Sequence, residues 1–230
     1  MSKEDSYVVA GCKPWCEKSA LEKGKILGGC WYFVKDKKEL EVILEKSSPK
    51  YIFFLHWNWV VSKEIVKKYN CVCFHMTDLP YGRGGSPLQN LIIRKNKETL
   101  LTALKMVEEL DAGPIYCKSP LSLTGRAEDI YTRANLICWE MIEHIIKYNP
   151  VPQEQTGAVV RFKRRIPEES ELPKTGGLEE IYDFIRMLDA PSYPLAFINY
   201  GEFKIEMSHA SFNENEVVAQ IKISQKNKEG

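Results

Sequence analysis

His75 is the side chain in this sequence best placed to move a proton near neutral pH. It closes a short apolar run, Cys71-Val72-Cys73-Phe74, and opens a loop, Met76 to Pro87, that holds Gly82, Gly84, Gly85, two prolines and Arg83. A strand that ends on a histidine beside a glycine-rich loop puts the imidazole at a sheet edge, where backbone N–H groups can approach a ligand. Arg83 offers a planar fork for a phosphate or carboxylate. A second glycine turn, Leu110-Asp111-Ala112-Gly113-Pro114, supplies a carboxylate. In a parallel sheet two such turns can lie side by side, so a His75–Asp111 pair is geometrically open. Each feature also has a plain structural reading: a histidine satisfied by carbonyls, an aspartate accepting local N–H bonds. Lys13 and Trp15 follow the first apolar run, where open α/β sheets bind ligands, and Trp15 can stack a flat ring or simply pack. Lys163 and Arg164 lie in the basic run 161–165, a solvated face or a clamp for a diphosphate.

Elements that alternate along the chain must position these residues. Tyr7 to Ala10 reads as a buried strand, Tyr51 to Leu55 as a fully apolar one, and Trp31 to Val34 and Cys71 to Phe74 as two more strands. Between them, Trp15 to Lys23 reads as a helix, Asp36-Lys37-Lys38-Glu39 as a capping box, and Ser62 as the cap of a short helix to Tyr69. Strands alternating with helices predict a mostly parallel α/β sheet with right-handed crossovers. A single glycine, Gly11, follows the first strand, so no dinucleotide or P-loop phosphate cradle is expected there. Leu88 to Ile93 reads as a short helix, and 99–107 fits helix by spacing but strand by length. Ala127 to Tyr148 carries the clearest helical stripe, and Asn149-Pro150-Val151-Pro152 ends it. That stop divides the chain into a catalytic domain, 1–149, and a small C-terminal part, 150–230, of one helix and short antiparallel strands.

The 230 residues carry 32 Lys+Arg against 31 Asp+Glu, a net charge of +1, which argues against a nucleic-acid binder. No apolar run is long enough to span a membrane, and the N-terminus lacks a signal peptide's apolar core. Seven scattered cysteines suit free thiols in a reducing cytosol, and their spacing offers no zinc site.

The run His75-Met76-Thr77-Asp78-Leu79-Pro80-Tyr81-Gly82-Arg83-Gly84-Gly85-Ser86-Pro87 resembles the signature of the formyltetrahydrofolate-dependent formyltransferases, His-x-Ser-x-Leu-Pro-x-x-Arg-Gly-x-x-Pro, with Thr77 in place of Ser. Met106 to Ile115 resembles the family's second motif, which holds its catalytic aspartate. Ile185 to Leu188, Pro191 to Phe197 and Phe162 to Pro167 look like the segments after the catalytic domain in sugar N-formyltransferases. The resemblance implies a Rossmann-like formyltransferase domain with a small helix-plus-β-hairpin appendage. It implies transfer of a formyl group from 10-formyltetrahydrofolate, without a metal, to a sugar amine. His75 would be the acid/base group and Asp111 its partner. Cys73 stands where the family carries an asparagine that stabilises the oxyanion, and Asn58, Thr77, a backbone N–H or His75 alone could substitute. Trp59, Val60 and Val61 would edge the folate slot, facing Val107 to Leu110. Lys13, Trp15, Arg83, Lys163 and Arg164 would meet the acceptor. The run 74–85 looks most like the pseudaminic-acid branch, which implies a UDP-linked 4-amino sugar as acceptor, no nucleic-acid or membrane partner, and a homodimer by analogy. Methionyl-tRNA formyltransferases, formyltetrahydrofolate hydrolases and a binding protein without catalysis are the alternative readings.

Overall fold

The computed structural model describes residues 5–191 and 193–226. Met1 to Glu4 of the polar N-terminus, Ser192 and the last four residues of the tail lie outside the described residues. In chain order the elements are β1 (Ser6–Gly11), α1 (Pro14–Leu27), β2 (Cys30–Val34), α2 (Lys37–Lys46), β3 (Tyr51–Leu55), α3 (Lys63–Lys68), β4 (Cys71–His75), β5 (Tyr81–Gly84) and α4 (Pro87–Ile93). There follow β6 (Glu98–Lys105), β7 (Ile115–Ser122), α5 (Ala127–Tyr148), β8 (Val160–Phe162), a 3-10 turn (Pro167–Ser170), α6 (Leu178–Arg186), β9 (Ala196–Tyr200), β10 (Phe203–Phe212) and β11 (Val217–Gln225). Two compact units result: 1–84, 100–121 and 132–161 form the first, and 85–99, 122–131 and 162–230 the second.

The first unit is built on a six-stranded sheet of order β2-β1-β3-β4-β6-β7. Strands β2, β1, β3 and β4 run parallel, and β6 runs antiparallel to β4. This is a Rossmann-like, mostly parallel sheet. Its central strands bury both faces, which is why they read as continuous apolar runs: Val8, Val9, Ala10, Ile52, Phe53, Leu55 and Val72 are fully buried. The same cause settles the ambiguous stretch 99–107 as strand up to Lys105. Leu101, Thr102, Ala103 and Leu104 are all buried, so this segment shows neither alternation nor a true helical stripe. Helix α2 starts as its sequence predicts, with Asp36 Oδ1 accepting from Glu39 N at 2.9 Å. The return half of the box closes one residue earlier than expected, with Lys35 N donating to Glu39 Oε2 at 2.9 Å. The segment 81–84, read as loop, is a short strand that pairs with β8.

The second unit contains the antiparallel sheet β11-β10-β9. Along β10, Ile205 sits between Ile198 and Ile223, and Met207 between Ala196 and Ile221, so one face of the sheet is apolar. Helix α6 packs against β10, with Ile185 buried. Its last residue, Arg186, is buried and donates to Leu123 O at 2.7 Å and Gly125 O at 2.8 Å, while its Nε reaches Asp183 Oδ1 at 2.7 Å. Among the described residues no helix is long and apolar enough to cross a membrane.

The cap on α2 is a local, separable contribution. Asp36→Ala removes an acceptor from a first-turn N–H and is expected to cost about 1 kcal/mol, read as a lowered urea midpoint; an unchanged midpoint would show that the cap contributes nothing.

Candidate active site

Parallel pairing brings the carboxyl ends of β1, β3 and β4 to one edge of the first sheet. Lys13 and Trp15 follow β1, His56 to Trp59 follow β3, and His75 ends β4. At the first of these corners Cys12 Sγ donates to His56 O at 2.7 Å. The Lys13 side chain is buried, and burial draws its pKa down. Burial, then the Lys13 charge, lowers His56 to about 4, so its imidazole is neutral at pH 7. The half-buried Trp15 meets the His56 ring edge-on, 5.7 Å between centroids.

At the second corner His75 is buried, with Nε2 at 2.8 Å from Gly82 O. A carbonyl only accepts, so Nε2 carries the hydrogen and the lone pair of the neutral ring lies on Nδ1. Nδ1 faces Asp111 Oδ1 at 3.6 Å. A proton gained at Nδ1 therefore meets a carboxylate across a short, buried gap. The other carboxylate oxygen, Oδ2, accepts from Gly84 N at 2.9 Å. The route by which Asp111 arrives differs from the one expected. Because β6 is antiparallel, Lys105 pairs with Val72, three residues before His75. The loop 106–114 thus leaves the sheet about 10 Å from His75 and folds back, rather than lying beside it at a shared strand end. At the turn Asp111 adopts a left-handed backbone, φ 56°. Gly113 passes so close to Lys105 O that a Cβ there would sit 1.7 Å from it, so no other residue fits.

Arg83 is buried and internally engaged. Its Nε and Nη2 donate to Gln155 Oε1 at 3.1 and 2.8 Å, and Nη1 lies 3.6 Å from Glu109 Oε1. Gln155 Nε2 in turn donates to Asp111 O and Gly113 O, both at 2.8 Å. Sequence reading passed over Gln155 because it sits in a polar segment after Pro152 that looks like a linker. Arg161 also pairs with Glu109, at 2.7 Å. Lys163 and Arg164 are exposed residues of the second unit. There, Asn90 Nδ2 donates to Lys163 O at 3.0 Å, and Arg164 packs against Gly85, where any Cβ would collide with it.

Cys73 is half-buried on β4. Burial, then the Asp111 charge, pushes its thiol far above the ordinary range, so it is held as S–H. Of the other oxyanion donors open to the sequence, Asn58 is exposed after β3. Thr77 is wholly buried, its Oγ1 has no partner among the described residues, and its carbonyl is tied to Thr102 Oγ1 at 2.7 Å. The expected slot residues Trp59, Val60, Val107 and Leu110 are exposed, while Val61 packs on the core. Their two segments are drawn together by Glu108, which meets Lys63 at 2.8 Å and Lys67 at 2.7 Å. Those two lysines lower Glu108 to about 2. Among the described residues no group of three His, Cys, Asp or Glu is arranged to hold a metal ion.

Residues 167–224, in the second unit, match a family model described as the methionyl-tRNA formyltransferase C-terminal domain. A solved structure of methionyl-tRNA formyltransferase from Clostridium thermocellum is 42% identical, covers 96% of this chain and 100% of its own, and superposes with a TM-score of 0.92. The methionyl-tRNA formyltransferase of Bacillus mycoides is 31% identical over 175 residues, 71% of this chain and 54% of its own length. The chain thus spans about half the length of the curated relatives it matches. A sugar N-formyltransferase from a Shewanella species covers 89% of this chain and 96% of its own with a TM-score of 0.66, but at 16% identity it shares only the fold.

These findings overturn the sugar N-formyltransferase reading, and with it the pseudaminic-acid branch, the UDP-linked 4-amino sugar and the expectation of no nucleic-acid partner. The motif at 74–85 says little about the acceptor. A net charge of +1 is a sum over the whole surface and does not exclude local contacts to RNA. At 42% identity over 96% of its length, the chain belongs to the methionyl-tRNA formyltransferase family.

Proposed function

We propose that this protein transfers the formyl group of 10-formyltetrahydrofolate to the amino group of methionyl-tRNA. The observation that carries the reading is the buried His75–Asp111 pair, 3.6 Å apart at the carboxyl edge of the sheet, in a chain 42% identical to a methionyl-tRNA formyltransferase. Residues 1–149 supply the chemistry in this reading, and 150–230 form the smaller C-terminal part. Seven cysteines, all free, favour a reducing cytosol as the place of work.

The neutral amine of the acceptor attacks the formyl carbon and gives a tetrahedral oxyanion. Collapse breaks the bond to folate N10, and one proton passes from the amine to N10. His75 holds that proton at Nδ1, where the Asp111 carboxylate stabilises the imidazolium. The folate ring enters beside Trp59, Val60 and Val61, opposite Val107 and Leu110; the exposure of four of these five apolar residues supports a ligand that covers them. Lys13 and Trp15, at the end of β1, face the acceptor. Lys163 and Arg164 are exposed cations suited to RNA phosphates. Arg83 supports the loop rather than a phosphate, because its guanidinium is taken up by Gln155 and Glu109. Cys73 is a weak S–H donor in place of an amide.

Incubation with labelled 10-formyltetrahydrofolate and methionyl-tRNA is expected to yield formylmethionyl-tRNA; no product at micromolar enzyme would sink the reading. His75→Asn is expected to lower kcat at least about 100-fold, and a near-normal rate would remove His75 from its role. Cys73→Asn restores an oxyanion donor and is expected to raise kcat, by up to about 100-fold; an unchanged or lower rate would show that another group already does this work. Mass spectrometry after iodoacetamide at pH 8 is expected to find the exposed Cys30 alkylated and Cys73 untouched, since the Cys73 thiol stays protonated. Rapid labelling of Cys73 would contradict that assignment.

A further inference from the structure

Gln155 uses its whole amide at the catalytic corner. Its oxygen takes two hydrogen bonds from Arg83, and its nitrogen gives one each to the carbonyls of Asp111 and Gly113. We propose that Gln155 is the positioning residue of the His75–Asp111 pair, holding the Asp111 turn in the conformation that aims its carboxylate at the imidazole. The kinetic half of this proposal rests on the formyl-transfer reading; the structural half does not.

The turn has reason to need a brace. Asp111 stands at φ 56°, in the left-handed region, which an aspartate tolerates better than most residues with a Cβ but which contacts on both sides of the turn must still hold in one geometry. Gly113, two residues on, is pressed against Lys105 O. The carbonyls of Asp111 and Gly113 both turn toward one nitrogen, so a single donor fixes the turn on both sides of Ala112. The same amide reaches Arg83, whose neighbour Gly84 donates to Asp111 Oδ2. Gln155 therefore sets the register between β5 and the turn, and the carboxylate is gripped by Gly84 on one oxygen while the other faces His75 Nδ1.

The chemistry of the position selects glutamine. A guanidinium on one side requires an acceptor, and two carbonyls on the other require a donor with two hydrogens. A primary amide presents both on one flat group. Glutamate would satisfy Arg83 but set a carboxylate oxygen against two carbonyl oxygens. Alanine would leave half-buried polar groups on both sides without partners.

The test uses the full chain with Gln155→Ala, Gln155→Glu, Asp111→Asn and the Gln155→Ala/Asp111→Asn double variant. Gln155→Glu keeps an acceptor for Arg83 and so guards against a trivial loss of folding. Both single Gln155 variants are expected to lose about 10- to 100-fold in kcat for formyl transfer, with KM for 10-formyltetrahydrofolate nearly unchanged. In the Asp111→Asn background the Gln155→Ala change is expected to cost nothing further, because its effect passes through Asp111. Hydrogen exchange supplies a readout without turnover: the Gly84 amide is expected to exchange at least about 10-fold faster in both Gln155 variants while β3 amides keep their protection. Unchanged kcat and unchanged Gly84 exchange in Gln155→Glu would overturn the proposal, as would a Gln155→Ala loss fully additive with Asp111→Asn. If the wild-type protein transfers no formyl group to methionyl-tRNA, the functional reading fails, and Gly84 exchange still decides for or against Gln155.

Discussion

The antiparallel pairing of β6 with β4 is the constraint on which the catalytic corner depends. A strand parallel to β4 would have delivered its following loop to the same edge as His75 and left it pointing away from the sheet. Because β6 enters the other way, the chain leaves the sheet beside Val72 and has to return across the edge to place Asp111 near His75. That return is held in several ways at once. Gly113 lets the backbone pass against Lys105 O, Gln155 fixes two carbonyls of the turn, Gly84 takes one carboxylate oxygen, and Glu108 anchors the outer arm to α3. None of these contacts is large alone. Together they hold a carboxylate within a few tenths of an ångström of hydrogen-bonding distance from a buried imidazole, on a left-handed backbone that an aspartate tolerates.

Burial gives the titratable groups along this edge different characters. His56 follows β3 and His75 ends the neighbouring parallel strand β4, where it faces the Asp111 carboxylate. Desolvation of the His56 ring, then the Lys13 charge, lowers His56 to about 4, and the ring meets Trp15 edge-on. Cys73 is close enough to Asp111 for the carboxylate to disfavour a thiolate. Burial does most to keep the Cys73 thiol protonated, and the Asp111 charge adds to it.

Much of this was legible in the sequence because local physics dominates there. The central strands β1 and β3 are buried on both faces and read as unbroken apolar runs, and α5 spans Ala127–Tyr148 as its stripe predicts. His75 and Asp111 stood out because each is a titratable residue at the mouth of a glycine turn. The direction of β6 was not legible, since a doubly buried strand carries no mark of its orientation. Gln155 was invisible for a different reason. A polar residue in a Pro-rich stretch looks like a solvated linker until the carbonyls that need its hydrogens are placed around it. The short strand β5 was hidden by its glycines, which signal a loop but here permit the close backbone pairing with β8.

The acceptor was misread because the residues that identify the family describe one half of a two-substrate reaction. In the proposed reaction His75, Asp111 and the loop 76–87 would answer to the formyl carbon, the leaving nitrogen and the proton between them, and these are the same whatever amine attacks. Selection of the amine has to come from groups that touch the rest of the acceptor, where sequence alone offers only scattered cations and aromatics. A nucleotide sugar and an aminoacyl-RNA both present phosphates, so Lys163 and Arg164 suit either. What separates them is size. An RNA spreads its phosphates over a long surface and binds through many weak contacts that release counterions, whereas a sugar nucleotide needs two phosphates gripped in one place. Arg83, the one buried guanidinium in the catalytic loop, would be the natural grip for a diphosphate, and it is already occupied by Gln155 and Glu109. That internal use of Arg83 removes the strongest local reason to expect a diphosphate at this edge.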